Sequence, residues 1–406
     1  MIYRHITKTL ERYKSSFPSI ILTGSRQTGK TTTLKTFLSL KPDKYATFDD
    51  PSNILAVRND PRFFMATHQA PAIFDEVQYV PSLFPYLKME IDANRQNGMF
   101  FLTESQQFEL MKNVSESLAG RIGILSLYGI SIREETKDPF SPPFLPSKDF
   151  ILQRNPILTN TNLSLVWEKI QRGFFPELVT GNVQPLDFFP SYIKTYLERD
   201  VRNLTQVADE IEFLNFISVV AARTGQLVNY ADIASTVGID PKTAKKWLSI
   251  LVSSGLVFLV HPYSGNIEKK LIKTPKLYFT DTGLAANLTK WSNPQVLASG
   301  AMAGAFFETF VVIEILKSFA NAGINPPLYF YRDTDGKEID LIIDWDGKIY
   351  PVEIKVTSSP SKKDGQNLKA AKAIKDKEIM EGILICNCPR PTPIAENITA
   401  IPFSYI

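Results

Sequence analysis

The sequence has few of the residues that bind metal ions or form covalent cross-links. Its 406 residues include two cysteines and three histidines. These numbers exclude a disulfide-rich secreted scaffold and leave few ligands for a zinc site. Cys386 and Cys388 lie in the apolar run Gly382 to Cys388, which is typical of a strand. We therefore expect buried thiols.

Long apolar runs and a strong net charge are also absent. The longest apolar runs, such as Phe306 to Leu316, contain Glu308 and Glu314 and are too short to span a membrane. The amino terminus lacks the apolar core of a signal peptide, so we expect a cytoplasmic protein with no membrane partner. A net charge of +3 indicates nucleic-acid binding only if it is concentrated in a local patch.

The stretch from Ser19 to Thr32 contains the clearest motif of the chain. An apolar strand leads into residues 24–31, which match the phosphate-binding pattern G-x-x-x-x-G-K-[ST] at each fixed position. The two glycines let backbone N–H groups converge on phosphate oxygens, the lysine adds a cation, and the hydroxyl that follows is a ligand for Mg²⁺. The sequence thus predicts a site for ATP and Mg²⁺ formed by Gly24, Ser25, Arg26, Gln27, Thr28, Gly29, Lys30, Thr31 and Thr32.

Short apolar strands alternate with helical segments through the first third, which predicts an α/β fold with a parallel sheet. The third strand ends in Asp75 and Glu76. Asp75 is expected to hold Mg²⁺ through its water shell, and Glu76 to orient or deprotonate the attacking water. Thr103 and Ser105, near the end of the next strand, are candidates to contact the γ-phosphate. The predicted strands are Ser19 to Thr23, Lys44 to Phe48, Ala72 to Phe74, Met99 to Thr103 and Gly123 to Leu127.

Taken in order, segments 24–31, 48–51, 74–78, 102–106 and 118–121 resemble the AAA-type P-loop ATPases of bacteria and archaea that carry a carboxyl-terminal domain of unknown function. The resemblance continues through 173–177 and 192–201, and it implies an ATPase that uses ATP and Mg²⁺. Ring-forming ATPases often place an arginine before the last strand to act in a neighbour's site, which would make Arg121 a nucleotide ligand in a homo-oligomer; a surface arginine explains it equally well. The family usually has glycine in place of Glu104, which leaves the efficiency of hydrolysis open.

The middle of the chain predicts a linker followed by a DNA-binding type of fold. Four prolines in residues 138–148 mark a boundary. From 211 onward the pattern predicts a winged helix-turn-helix, with Gly238 at the turn and Asp240 and Pro241 starting the second helix. We predict DNA contact through its phosphates, against the alternative of a packing or protein-binding role. The lysines concerned are Lys242, Lys245 and Lys246 on the helix, and Lys269, Lys270, Lys273 and Lys276 in the wing. Arg199 could reach the nucleotide or pair with Glu198 or Asp200.

The carboxyl third predicts a hairpin with a polar face. Strands Glu338 to Ile343 and Ile349 to Val356 are joined by a short turn. If Asp344 pairs with Ile349, then Asp340 lies opposite Glu353, and Glu338 lies opposite Lys355. Two carboxylates at about 4 Å repel by roughly 4 kcal/mol at an effective dielectric constant of 20, so the pair calls for a cation or a raised pKa. The residues expected on the apolar face are Ile339, Leu341, Ile343, Val352, Ile354 and Val356.

A divalent metal would supply that cation. We predict that Mg²⁺ or Mn²⁺ is held by Asp340, Glu353 and the carbonyl of Ile354, with Lys355 orienting a hydroxide for attack on a phosphodiester. Glu308, on a helix predicted from Ala305 to Ser318, would be a further ligand. The arrangement resembles the PD-(D/E)xK nuclease core and implies metal-dependent nuclease activity. The alternative is an amphipathic hairpin with weak surface salt bridges.

These patterns divide the chain into four parts. They are an AAA-type P-loop domain (1–137), a proline-rich linker and small helical region (138–210), a winged helix (211–290) and an α/β nuclease-like domain (291–406). The predicted function is ATP binding and hydrolysis coupled to DNA binding or processing. The alternative is a regulatory ATPase that acts through protein partners, with an inactive nuclease-like scaffold. A small-molecule kinase is less favoured, since no acceptor pocket follows the P-loop.

Overall fold

The computed structural model describes residues 2–39, 41–105, 117–154, 163–197, 210–263, 274–333, 336–375 and 377–406. The predicted residues Glu198, Arg199, Asp200, Lys269, Lys270 and Lys273 lie outside these ranges. Within the described ranges, no helix combines the length and the apolar character needed to cross a membrane.

The amino-terminal part is a parallel α/β sheet, as predicted. Its five strands are hydrogen-bonded in the order β2-β3-β4-β1-β5, and all neighbours run parallel. Short 3₁₀ turns at Pro42–Lys44, Val77–Tyr79 and Pro81–Leu83 link some of the elements. The helices and strands are α1 Ile6–Ser16, β1 Ser19–Thr23, α2 Lys30–Leu38, β2 Tyr45–Thr47, α3 Pro51–Asn59, α4 Pro61–Thr67, β3 Ala72–Asp75, α5 Phe84–Asn94, β4 Phe100–Glu104, β5 Ile122–Ser126 and α6 Ile132–Glu135.

Strand β1 occupies the interior of this sheet. All five of its residues are buried, and they face two different clusters: Ile20 and Leu22 pack on one side, and Ile21 packs on the other. An apolar run without polar alternation is what a parallel strand covered on both faces requires. Because neighbouring parallel strands end at the same edge, the residues that follow β1, β3 and β4 are brought together.

A helical region follows the first sheet. Residues 136–147 form no helix or strand, in agreement with the proline-rich boundary. The helices beyond it are α7 Lys148–Arg154, α8 Leu163–Arg172, α9 Pro176–Val179 and α10 Pro185–Tyr192, followed by a π-helical turn at Ile193–Leu197.

The next segment has the helix, turn, helix order that the sequence predicts. Gly238 has a φ of 90° at the turn, and the Asp240 side chain accepts hydrogen bonds from the N–H groups of Lys242 and Thr243. Pro241 is the first residue of the second helix. The elements are α11 Glu210–Ala221, β6 Gln226–Leu227, α12 Tyr230–Val237, α13 Pro241–Ser253, β7 Val257–Pro262 and β8 Lys276–Phe279.

The last third contains α14 Thr282–Leu288, α15 Pro294–Ser299, α16 Ala303–Asn321, β9 Leu328–Arg332, β10 Glu338–Trp345, β11 Lys348–Ile354, a 3₁₀ helix Gln366–Ala373, β12 Glu378–Ile379, β13 Gly382–Cys386, β14 Thr392–Ala395, β15 Ile398–Pro402 and a 3₁₀ turn Phe403–Tyr405. Strand β7 pairs with β9, so one mixed sheet continues across the boundary predicted at residue 290. One hydrophobic cluster also joins the two parts. Cys386 and Cys388 are free and buried, as expected.

The β10–β11 hairpin has the predicted register, with Asp344 opposite Ile349. The predicted apolar face is wrong at both ends. A shift in the β9–β10 pairing between Ile339 and Ile342 places Ile339 in a different cluster from Leu341. Val356 follows the end of β11 and is 39% exposed.

Candidate functional site

The phosphate-binding loop follows β1 and requires glycine at both ends. Gly24 has a φ of 144°, and a Cβ there would lie 2.1 Å from the carbonyl oxygen of Leu127. Gly29 has a φ of 90° and directly precedes α2. Both backbone conformations are ones that side chains disfavour. The loop therefore presents its backbone at the amino end of a helix, where phosphate groups are stabilised.

Lys30 is folded back onto the loop. Its Nζ donates to the carbonyl oxygens of Gly24 at 2.8 Å and Ser25 at 3.0 Å, and to Ser105 Oγ at 3.0 Å. Only 4% of the residue is exposed. This burial lowers the pKa of Lys30 to about 8, against the opposing effect of Glu76 and Asp75. The ammonium group thus lies at the edge of its charged range near neutral pH.

ATP affinity should fall above pH 8. A deprotonated Lys30 cannot pair with phosphate, and its charged fraction decreases about tenfold for each pH unit above its pKa of about 8. Titration calorimetry with ATP between pH 6.5 and 9.5 should show a constant affinity followed by this decline. A parallel unfolding curve at each pH excludes loss of structure as the cause. An affinity independent of pH over this range contradicts the prediction.

Asp75 is held at the end of β3 by three hydroxyl groups. Its Oδ1 accepts from Thr31 Oγ1 at 2.6 Å and Thr103 Oγ1 at 2.5 Å, and its Oδ2 accepts from Tyr45 OH at 3.0 Å. Burial, together with Asp75, raises the pKa of Tyr45 and keeps it protonated as a donor. A hydroxyl at the first turn of α2 and a carboxylate at the end of β3 form the oxygen donor set that Mg²⁺ prefers. Thr31 and Asp75 therefore fit the predicted metal ligands.

Ser105 links Glu76 to Lys30 by two hydrogen bonds. Ser105 Oγ donates to Glu76 Oε1 at 3.0 Å and accepts from Lys30 Nζ, while Gln78 Nε2 donates to Glu76 Oε2 at 2.5 Å. Thr103 Oγ1 accepts from the Glu76 N–H at 3.0 Å. Thr103 thus orients Asp75 and Glu76, and Ser105 is the hydroxyl nearer the loop.

Of the other predicted nucleotide ligands, some lie in the phosphate-binding loop and one lies far from it. Arg26 donates to Tyr79 OH at 2.8 Å, Thr28 Oγ1 donates to the Ser25 carbonyl at 2.8 Å, and Gln27 has a φ of 60°. These residues shape the loop. Arg121 lies at the opposite end of the sheet, since its carbonyl accepts from the N–H of Ser19 at the start of β1.

The structure does not bring Arg121 to the P-loop of its own chain. Its guanidinium pairs with Asp92 at 2.6 Å. A role in a neighbouring subunit's site stays a prediction. Glu104 is fully buried and lies opposite Thr23 in the β1–β4 pairing, and it contributes to the negative surroundings of Lys30.

A cavity of about 650 Å³ opens beside Gly29 and the first turns of α2. This volume is typical of a small-molecule site. The lining residues include Ile2, Tyr3, Arg4, Thr32, Thr33, Phe37, Ile130, Pro176 and Thr180.

Arg4 and Tyr45 are site residues that the sequence did not reveal. Arg4 donates to the carbonyl oxygens of Thr28 at 2.8 Å and Tyr128 at 2.7 Å, and pairs with the buried Glu134 at 3.1 Å. It thereby ties the amino terminus to the P-loop. Tyr45 begins β2 and pairs with Ile73 of β3, so its hydroxyl reaches Asp75 only through a pairing that the sequence does not show.

In the carboxyl part, Asp340 and Glu353 face each other as predicted and are bridged by Lys355. Lys355 Nζ lies 2.8 Å from Glu353 Oε1 and 3.4 Å from Asp340 Oδ2, which also accepts from the N–H of Ile354 at 2.8 Å. Glu353 Oε2 is buried and has no hydrogen-bond partner among the described residues. Burial, and then Asp340, raise the pKa of Glu353 to about 7.

Glu308 has other partners. Its Oε1 accepts from Tyr278 OH at 2.7 Å and Lys276 Nζ at 3.1 Å. Lys276 also pairs with Glu338 at 2.6 Å, whereas Lys355 pairs with Asp340 and Glu353. Lys276, which was expected in the wing, is buried here. In the described part of the chain, no group of three or more His, Cys, Asp or Glu residues is arranged to hold a metal ion.

Helix α13 presents a basic face to solvent, and the turn that follows the helix contacts the P-loop. Lys242, Lys245 and Lys246 are exposed, while Ala244, Trp247, Leu248 and Leu251 are buried on the opposite face. After the helix, the chain turns at Gly255, where a Cβ would lie 3.3 Å from the backbone nitrogen of Ser25 and 3.8 Å from the Gly24 backbone. The turn therefore packs directly on the loop.

The parallel sheet, the loop and the acidic strand end define an α/β P-loop domain. Residues 16–136 match the family described as "AAA domain". This part of the chain is an AAA-type P-loop ATPase domain that binds ATP. Residues 164–295 and 303–406 match two families described as domains of unknown function, DUF8612 and DUF4143.

The chain is also similar to two mycobacterial proteins over nearly its full length. It is 27% identical to the uncharacterized proteins Rv2008c of Mycobacterium tuberculosis and Mb2031c of Mycobacterium bovis, over 99% of this chain and 84% of each relative. Among solved structures, the Walker-type ATPase PABY2304 of Pyrococcus abyssi aligns with 70% of this chain and 94% of its own, with 14% identity and a TM-score of 0.44.

Proposed function

We propose that this protein hydrolyses ATP and couples its nucleotide state to DNA binding through helix α13. The observation that carries the proposal is the contact between Gly255 and the P-loop. The helix with the exposed lysines ends at Ser253, and Gly255 packs on Gly24 and Ser25 two residues later. A conformational change of the P-loop would therefore displace the turn and, with it, the basic helix.

A change in the hydrogen-bond partners of Lys30 would alter the conformation of the loop. In the structure its ammonium group binds the carbonyl oxygens of the same two residues on which Gly255 packs. When Lys30 turns toward a phosphate, those two peptides lose their cation and must reorient. This couples phosphate binding to the position of the turn without requiring any large motion.

The hydrolytic roles follow from the hydrogen bonds around β3. Mg²⁺ bound at Thr31 and Asp75 would neutralise charge on the β- and γ-phosphates. Glu76 accepts the proton of the attacking water, and Ser105 and Gln78 orient its carboxylate for this task. Arg4 fixes the Thr28 carbonyl and so keeps the loop open for the nucleotide.

A non-hydrolysable ATP analogue should change the affinity for a mixed-sequence DNA duplex by about 5- to 150-fold, the usual range of coupling between two sites. Fluorescence anisotropy at low salt measures this effect. The Lys30→Ala variant should bind DNA with the same affinity in the presence and absence of the analogue. Replacement of Lys242, Lys245 and Lys246 by alanine should weaken DNA binding while ATP turnover continues.

Two outcomes would overturn this proposal. One is the absence of DNA binding by the wild type at low salt. The other is a wild-type DNA affinity that does not respond to nucleotide, combined with nucleotide-dependent capture of a protein partner. The second outcome would favour a regulatory ATPase that acts through proteins.

A second candidate function is metal-dependent cleavage of phosphodiesters at Asp340 and Glu353. The observation that favours it is the buried, unpartnered Glu353 Oε2 facing a second carboxylate. Two carboxylates satisfy a Mg²⁺ or Mn²⁺ ion that retains several waters. The metal would supply Lewis-acid stabilisation of the phosphate, and Lys355 would orient the attacking water. Glu308 is committed to Lys276 and Tyr278 and is not a ligand in this arrangement.

The Glu353→Gln variant should gain stability over the wild type as the pH rises. Below its ordinary carboxyl range, Glu353 is protonated in both the folded and the unfolded states. Between that range and its folded pKa of about 7, only the folded state binds the proton, so the wild-type free energy of unfolding falls as pH rises. Urea unfolding at pH 5 and pH 8 should show the variant gaining about 1 to 3 kcal/mol at the higher pH.

The same variant tests the metal. At pH 8, Mn²⁺ should raise the melting temperature of the wild type and leave that of Glu353→Gln and Asp340→Asn unchanged. Cleavage of linear or single-stranded DNA should require the metal and be absent in Asp340→Asn. Equal Mn²⁺ stabilisation of all three proteins would exclude this site.

A further inference from the structure

The segment from Lys355 to Glu378 concentrates positive charge. It contains seven lysines against Asp364, Asp376 and Glu378. This segment alone therefore carries a net charge of +4, whereas the whole chain carries +3. A small net charge for the chain thus conceals a local basic patch, the condition that nucleic-acid binding would require.

The 3₁₀ helix Gln366–Ala373 arranges this charge in a row. A 3₁₀ helix has three residues per turn, so side chains at i and i+3 lie above one another, about 6 Å apart along the axis. Leu368 and Ala371 form one such row and are buried against β10 and β11. Lys369 and Lys372 form another row and are exposed, and Lys375, which follows the extended residue Ile374 beyond the helix, is exposed as well.

Five of the seven lysines of this patch face solvent. Lys355 and Lys377 pair with carboxylates of the hairpin. No ion pair within the described residues involves the five exposed lysines, Lys362, Lys363, Lys369, Lys372 and Lys375. Lys362, Lys369 and Lys372 border one groove, so their positive charges repel each other, and a polyanion would relieve that repulsion.

The row lies along a groove of about 620 Å³. Lys362, Lys369 and Lys372 line one part of it, over a floor that includes Leu368 and Ile379. Glu381 and Glu396 also border the groove. Glu381 accepts a hydrogen bond from Thr399 Oγ1 at 2.5 Å. A phosphate chain would therefore follow the lysine side of the groove and avoid the glutamates.

We propose that the lysine row Lys369, Lys372 and Lys375, with Lys362 and Lys363, is a second DNA-backbone contact surface of this protein. The inference rests on the proposed function, because it assigns to the carboxyl domain part of the DNA whose other contact is helix α13. The row recognises phosphates through charge and carries no base specificity. Lysine and not arginine at all five positions agrees with such a role, since lysine pairs with phosphate as a point charge.

The test compares salt dependence in the full-length protein. The triple variant Lys369→Ala/Lys372→Ala/Lys375→Ala should reduce the slope of log K against log salt for duplex DNA by about 2 to 3 units, because each lost phosphate contact removes about 0.9. The matched control is Lys41→Ala/Lys148→Ala/Lys290→Ala, which removes the same charge at exposed positions elsewhere. The control should retain the wild-type slope. Unchanged melting temperatures exclude unfolding, since all six side chains are exposed.

The outcomes separate this inference from the proposed function. If the α13 triple variant loses affinity while the row variant equals its control, the row is not a DNA contact and the proposed function stands. If the row variant loses slope and the α13 variant does not, DNA binds the carboxyl domain alone and the coupling proposal fails. If the wild type does not bind DNA, both are wrong.

Discussion

The Glu76→Gln variant should hydrolyse ATP about 10² to 10⁴ times more slowly than the wild type, the usual contribution of a positioned general base. Glutamine keeps the shape and the hydrogen bond from Ser105 but cannot accept the proton of the attacking water. ATP binding should change little, because the phosphate-binding groups lie on the loop and on Lys30. Single-turnover phosphate release and equilibrium ATP binding separate the two effects.

The matched control for this experiment is Glu90→Gln, an exposed glutamate on α5 that accepts hydrogen bonds from Asn94 of the same helix. It should turn over ATP at the wild-type rate. The assignment of the base is wrong if Glu76→Gln retains wild-type turnover, or if its loss is fully explained by weaker ATP binding. In the first case hydrolysis would depend on another group, and Asp75 would be the next candidate.

Removal of the Glu134 carboxylate should lower the free energy of unfolding by about 3 to 5 kcal/mol, the usual cost of leaving a buried charge unpaired. Glu134 is 2% exposed and accepts hydrogen bonds from Arg4 and from the N–H groups of His5 and Ser131. Burial opposes ionisation, but Arg4 and these N–H groups together hold the pKa of Glu134 below its ordinary value. In Glu134→Ala, the buried Arg4 guanidinium loses its counter-charge.

The same change should weaken ATP binding, because Arg4 also fixes the Thr28 carbonyl of the P-loop. Urea denaturation measures the stability, and the double variant Arg4→Ala/Glu134→Ala supplies the control. If the two groups act as a pair, the double variant should be less destabilised than the sum of the single variants. The wild-type advantage should be present at neutral pH and disappear as the pH falls through the depressed pKa of Glu134. Strictly additive losses would contradict the pairing.

The parts that the sequence predicted correctly depend on local patterns. Strand β1 coincides with its predicted bounds because an unbroken apolar run leads to a glycine. The Asp240 cap, Pro241 and Gly238 mark α12 and α13 through contacts no more than a few residues apart. The hairpin register followed from the short turn alone. Asp340 and Glu353 lie close together, since both pair with Lys355.

The parts that the sequence missed depend on contacts between distant residues. Lys276 and Glu308 are far apart in the chain, and nothing in their local sequence indicates that they pair. The pairing shift at Ile339 lies between β10 and its other neighbour β9, whose pairing the hairpin sequence does not show. Arg4 contacts Thr28, Tyr128 and Glu134, which lie 24, 124 and 130 positions away in the chain. Gly255 appears in the sequence as an ordinary helix end, and its contact with the P-loop is visible only in three dimensions.

The central claim is that phosphate binding at the P-loop moves the turn that ends α13. Amide hydrogen exchange of peptides covering residues 247–260, with and without a non-hydrolysable ATP analogue, tests it most directly. Exchange at this turn should change in the wild type and stay the same in Lys30→Ala. Exchange that changes at the P-loop on analogue binding but stays the same at residues 247–260 would contradict the coupling.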